Sequence, residues 1–141
     1  VSAAFYALTR SWGLAVSSFL SGTLVDADHL LDFWREYGLR ADLRRIFAVC
    51  HGHRLRRAVL FLHAWEWFFA GLLAARLTEW NPVVSGTAIG LGFHLVLDQV
   101  ANRPEPAGYW FFWRLRRGFS LAAMFGKREA DAAAAASPHA T

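Results

Sequence analysis

Three short strings place imidazole and carboxylate groups in or beside apolar stretches: Asp26-Ala27-Asp28-His29, His63-Ala64-Trp65-Glu66 and His94-Leu95-Val96-Leu97-Asp98. On a helix His63 and Glu66 stand three residues apart and His94 and Asp98 four, so each pair projects from one face. Imidazole with carboxylate is the ligand set of a divalent metal, zinc first, with manganese or non-haem iron as alternatives. One cysteine offers too little soft sulfur for a thiolate centre. An ion held this way acidifies a bound water and polarises a phosphoryl or acyl oxygen, while a spare carboxylate takes the proton. The chemistry expected is hydrolysis.

Three apolar segments must carry these strings, and a bilayer crossing needs about 20 mostly apolar residues. Residues 1–25 hold only Arg10 as a formal charge, and their more continuous part, 11–25, is expected to continue helically through Asp26 to about Trp34. Residues 57–77 carry His63 and Glu66, and residues 83–101 carry His94 and Asp98 among Gly and Ser positions suited to close helix contact. Between the last two, Thr78-Glu79-Trp80-Asn81-Pro82 predicts a turn and a helical hairpin. A second break is expected at Asn102-Arg103-Pro104-Glu105-Pro106. Beyond it Tyr109–Phe125, with Arg114, Arg116 and Arg117 in its middle, reads as an interfacial helix, apolar rings inward and guanidiniums at headgroup level. The fold class expected is all-α: a small polytopic membrane bundle over 1–126, with about three spanning helices and one interfacial helix. Residues 127–141 read as a disordered tail.

Composition agrees. Hydrophobic residues make up 55% of the 141 and aromatics 16%, with seven Trp, while charged residues fall to 18% against about 25% in ordinary soluble domains. That excludes a disordered or fibrous chain, and the length allows one domain. Cys50 alone permits no internal disulfide. The net charge of +4 comes from fourteen Arg and one Lys. No recognition motif accompanies these arginines and they flank the apolar segments, so nucleic acid ranks lowest among partners. The chain begins with Val, so an N-terminal piece is expected to precede it.

Topology turns three weak signals into one. Residues 35–56 hold six Arg against Glu36 and Asp42, and the positive-inside rule makes this loop cytoplasmic. Asp26–His29 then lies at the cytoplasmic exit of the first segment. His63 falls about 7.5 Å inside the second, and His94 and Asp98 about 10 and 5 Å from the end of the third. All fall in one shallow layer, where unpaired charge is costly. The expected ligands are Asp28, His29, His63, His94 and Asp98, with Asp26 or Glu66 as proton acceptor.

The residues also resemble a family. Ser21-Gly-Thr-Leu-Val-Asp-Ala-Asp-His-Leu-Leu is similar to the Gly-Ser-Leu-Leu-Pro-Asp-Ile-Asp-His string of bacterial inner-membrane metal-dependent hydrolases. Arg57–His63 with Glu66 sits where that family has an Arg…His element, and Gly92–Asp98 resembles its His-Leu-Leu-Leu-Asp string. The resemblance covers roughly 21–102 and implies Asp26, Asp28, His29, His63, His94 and Asp98 as site residues of a multi-pass inner-membrane hydrolase. Val25 occupies the usual Pro position, and no histidine precedes His29.

Plainer readings stand beside this one. Asp26, Asp28, His29 and Asp32 could form a solvated helix end, His63 and Glu66 an interhelical pair, and His94 an imidazole merely oriented by Asp98. Cys50-His51-Gly52-His53 reads as loop. Other functions are a b-type haem held by His63 and His94, docking of the basic loop on anionic lipid or a cytosolic partner, and a soluble α-bundle. Three spans make a thin bundle, so self-association into a homo-oligomer is an expected partner relation.

Overall fold

The computed structural model describes residues 2–38, 57 and 59–126; most of the basic loop, Cys50–His53 and the 127–141 tail lie outside them. The described residues are mostly helical, with no strand among them: α1 (Ser2–Thr9), α2 (Trp12–Leu24), α3 (Ala27–Tyr37), α4 (Trp65–Leu77), α5 (Pro82–Asn102), α6 (Phe111–Arg116) and α7 (Leu121–Phe125). The all-α expectation holds. The chain divides into two compact units, Val1–Ala27 with Leu62–Asn102, and Asp28–Phe61 with Arg103–Thr141.

The first unit is built on α5, which packs along α2 and against α4. The α4–α5 hairpin turns at Thr78–Asn81, where Glu79 and Trp80 take positive φ. Pro82 opens α5, a position where its missing N–H costs nothing. The Asn81 Oδ1 accepts from the Val83 N–H at 3.0 Å and caps the new helix. α2 and α5 approach closely because α5 presents Gly86 and Gly90 to α2: a Cβ at Gly86 would strike the Ser17 hydroxyl and the Leu14 carbonyl, and one at Gly90 the Ser18 carbonyl and the Ser21 hydroxyl. Towards α4, the Phe68 ring fills the space that a side chain at Gly92 would need.

Two expected helices are shorter than the sequence suggests. α2 stops at Leu24 and a turn at Val25–Asp26 separates it from α3, leaving Asp26 immediately ahead of a helix start, where Asp is preferred. The second apolar segment is helical only from Trp65, after the extended Ala64; His63 precedes the helix, so it does not share a helical face with Glu66. α2 and α4 have 13 residues each, about 20 Å of helix. Among the described residues α5, at 21, is the helix long and apolar enough to cross a bilayer.

The second unit buries Phe33, Leu60, Tyr109, Leu121 and Met124. The break after Asn102 falls where the prolines demand it, with Arg103 at φ 46°. The single interfacial helix expected over 109–125 is instead two short helices parted by a turn in which Gly118 and Phe119 take positive φ. Nor do all three arginines face outward. Arg114 is buried and donates from Nη1 to the Val59 carbonyl at 2.9 Å, while Arg116 and Arg117 are exposed, Arg117 lying over the Trp113 ring.

Candidate metal centre

Four residues of the first unit converge. α5 supplies His94 and Asp98 one turn apart, the segment ahead of α4 supplies His63, and the turn after α2 supplies Asp26. The two Nε2 atoms stand 3.2 Å apart. Asp98 Oδ2 lies 3.3 Å from His63 Nε2 and 3.5 Å from His94 Nε2. Asp26 Oδ1 lies 3.5 and 3.3 Å from the same two atoms. The arrangement is two triangles of ligand atoms sharing the His63–His94 edge. Ligands 2.0–2.1 Å from one zinc ion at tetrahedral angles stand about 3.3–3.4 Å from each other, the same spacing.

The hydrogen bonding of His94 sets its tautomer. Its Nδ1 lies 2.8 Å from the Gly22 carbonyl oxygen. A carbonyl only accepts, so Nδ1 carries the proton, and in the neutral ring the Nε2 lone pair faces the cluster. A ring N–H given to a backbone carbonyl is the usual outer support of a metal-ligating imidazole.

Exposure differs among the four. The side chains of His63, His94 and Asp98 are 0, 14 and 21% exposed, that of Asp26 57%. Two imidazoles and one carboxylate therefore form a sheltered face, and Asp26 stands on the open side.

The other expected site residues lie on α3 and α4. Asp28 and His29 belong to α3 and the second unit, where Asp28 is buried. Glu66 stands in the first turn of α4 and is not among the residues whose ligand atoms gather here. Asp26, read from sequence as the proton acceptor, is the carboxylate of its string that contacts both imidazoles. The Gly22 carbonyl was not expected; its sequence signal is the row Gly86, Gly90, His94, Asp98, four residues apart along one helix. Comparison of the chain with protein-family profiles, curated proteins and solved structures gives no match, so the functional reading rests on the site itself.

Proposed function

We propose that this chain is a membrane-embedded, metal-dependent hydrolase acting on phosphate or ester bonds of lipids or lipid-linked substrates. The observation that carries the reading is the His63–His94–Asp98 face, ligand atoms 3.2–3.5 Å apart, with His94 Nδ1 held against the Gly22 carbonyl and Nε2 turned to the cluster. Zinc is the first candidate, and manganese or iron suits the same donors. A divalent ion there would supply an acidified water and a Lewis acid. His63, His94 and Asp98 hold it; Asp26, on the open side, accepts the proton of the attacking water.

A membrane location is supported by α5 and by large apolar side chains exposed on α2, α4 and α5 of the first unit, among them Phe19, Leu24, Leu73, Phe93 and Val100. In this reading α2, α4 and α5 form a three-helix bundle of the bacterial inner membrane, the site opens toward the cytoplasmic leaflet, and exposed Trp110, Phe112, Arg116 and Arg117 of the second unit meet headgroups. The haem reading is weaker. Axial imidazoles lie on opposite faces of a porphyrin, whereas here two carboxylate oxygens crowd the gap between the Nε2 atoms.

The test is metal analysis of the purified protein beside His94→Ala, followed by hydrolysis of synthetic phospholipids with and without chelator. One equivalent of metal in the wild type, lost in the variant, with chelator-sensitive turnover is the expected result. A wild type that binds no divalent ion ends the proposal.

A further inference from the structure

We infer that Gly90 is a positioning residue of this site: its bare Cα lets α2 close onto α5, which brings the Gly22 carbonyl to His94 and fixes Nε2 as the ligand atom. The inference rests on the metal-site reading for its consequence, and its spectroscopic readout is independent of metal.

The chain of contacts is short. Gly90 and His94 are one turn apart on the same face of α5. A Cβ at Gly90 would meet the Ser18 carbonyl oxygen, which is backbone and cannot swing aside as a side chain would. On the α2 side, a Cβ built at Gly22 would stand 3.3 Å from the Gly90 carbonyl oxygen. The two backbones are therefore in contact one turn before the imidazole. There His94 Nδ1 reaches Gly22 O at 2.8 Å, and Nε2 reaches Asp26 Oδ1, just past the end of α2, at 3.3 Å. Widening the gap at Gly90 withdraws the carbonyl and leaves the imidazole without the bond that holds its tautomer and ring orientation. Gly13 faces the same helix near its start, but a Cβ there meets side-chain atoms alone, the end of Val83 at 3.3 Å and Pro82 Cβ at 3.7 Å foremost, so Gly13→Ala serves as the control.

The experiment uses the full chain in detergent with ¹⁵N-labelled histidine. In the metal-free wild type, at a pH where the ring is neutral, His94 is expected to carry its proton on Nδ1. Gly90→Ala should move population to the Nε2-protonated form and weaken zinc binding by about ten- to a hundredfold, with helical circular dichroism retained. Gly13→Ala should change neither. Ser21→Val opens the same gap from α2 while keeping Gly90, and should shift the tautomer likewise; it replaces Gly90→Ala if that chain does not fold. A wild-type His94 protonated on Nε2, or variants that keep both tautomer and zinc affinity, would overturn the inference. A wild type that binds no zinc yet shows the Nδ1 proton, lost in Gly90→Ala, removes the metal reading and leaves the positioning role standing.

Discussion

Asp32 and Arg114 grip the two sides of one peptide group. Asp32 Oδ2 accepts from the Leu60 N–H at 2.9 Å, and Arg114 Nη1 donates to the Val59 carbonyl at 2.9 Å. Both side chains are buried, 6 and 1% exposed, and Leu60 takes a left-handed φ of 41°. That conformation is unfavourable for a leucine and persists only where its surroundings impose it. Two buried charges of opposite sign, separated by a peptide dipole that satisfies both, supply the imposition.

Removing either charge strands its partner side of the peptide. Asp32→Ala leaves the Leu60 N–H without its carboxylate, and Arg114→Met leaves the Val59 carbonyl without its guanidinium; each should cost about 1–3 kcal/mol. The double variant should lose less than the sum, because both act on one peptide. Urea unfolding of the three variants beside wild type measures this, and strict additivity would show that the two contacts are independent.

The same carboxyl predicts a pH dependence. Burial, together with the charge of Asp28, raises the Asp32 value against the lowering by backbone hydrogen bonds from Leu60 and Val59 and by Arg35. A carboxyl raised in the folded state binds more protons there than in the unfolded chain. Its favourable contribution is therefore complete below the unfolded value of about 3.9 and is lost as pH rises through the folded value. The stability of wild type relative to Asp32→Asn, which does not titrate, should be greatest near pH 3 and decline toward neutrality. A difference that grows with pH would mean the folded value is lowered instead.

The two carboxylates of the metal centre should separate in function. Asp98→Ala removes a ligand from the sheltered face and should lower metal content and activity together. Asp26→Asn keeps that face, and should retain the ion while turnover falls by about 10²–10⁴-fold, the usual share of a positioned proton acceptor. Metal content and kcat measured on the same preparations decide it; loss of metal in Asp26→Asn would make that residue a required ligand.

What could be read from the sequence divides on physical lines. Breaks set by proline were legible, at Asn81-Pro82 and after Asn102, because a missing N–H acts locally. His94 with Asp98 was legible, since four-residue spacing fixes a shared helical face. The late start of α4 was not: Val59–Ala64 is as apolar as the helix it precedes, and the capping residue, Ala64, makes no side-chain cap bond. The turn at Val25–Asp26 has neither glycine nor proline, and its single mark is an Asp placed to begin α3. Arg114 read as an interface arginine because its acceptor is a main-chain carbonyl 55 residues away, which no pattern of side chains records. The Gly22 carbonyl beside His94 escaped for the same reason. The choice of Asp26 over Asp28 depended on where α2 stops.

Phe93 offers a test of the membrane reading that needs no substrate. It lies near the middle of α5 and its side chain is 43% exposed. In water, an exposed Phe→Arg change away from packed contacts alters stability by only about 0.5 kcal/mol. Facing hydrocarbon near the centre of a span, the same arginine costs about 2.5–3.5 kcal/mol. Phe93→Arg should therefore reduce the fraction of chain that resists carbonate extraction from membranes, whereas Glu79→Arg, in the exposed turn between α4 and α5, should leave it unchanged. If Phe93→Arg expresses and folds as wild type does in detergent-free buffer, α5 belongs to a water-soluble bundle and the lipid substrates proposed above lose their rationale.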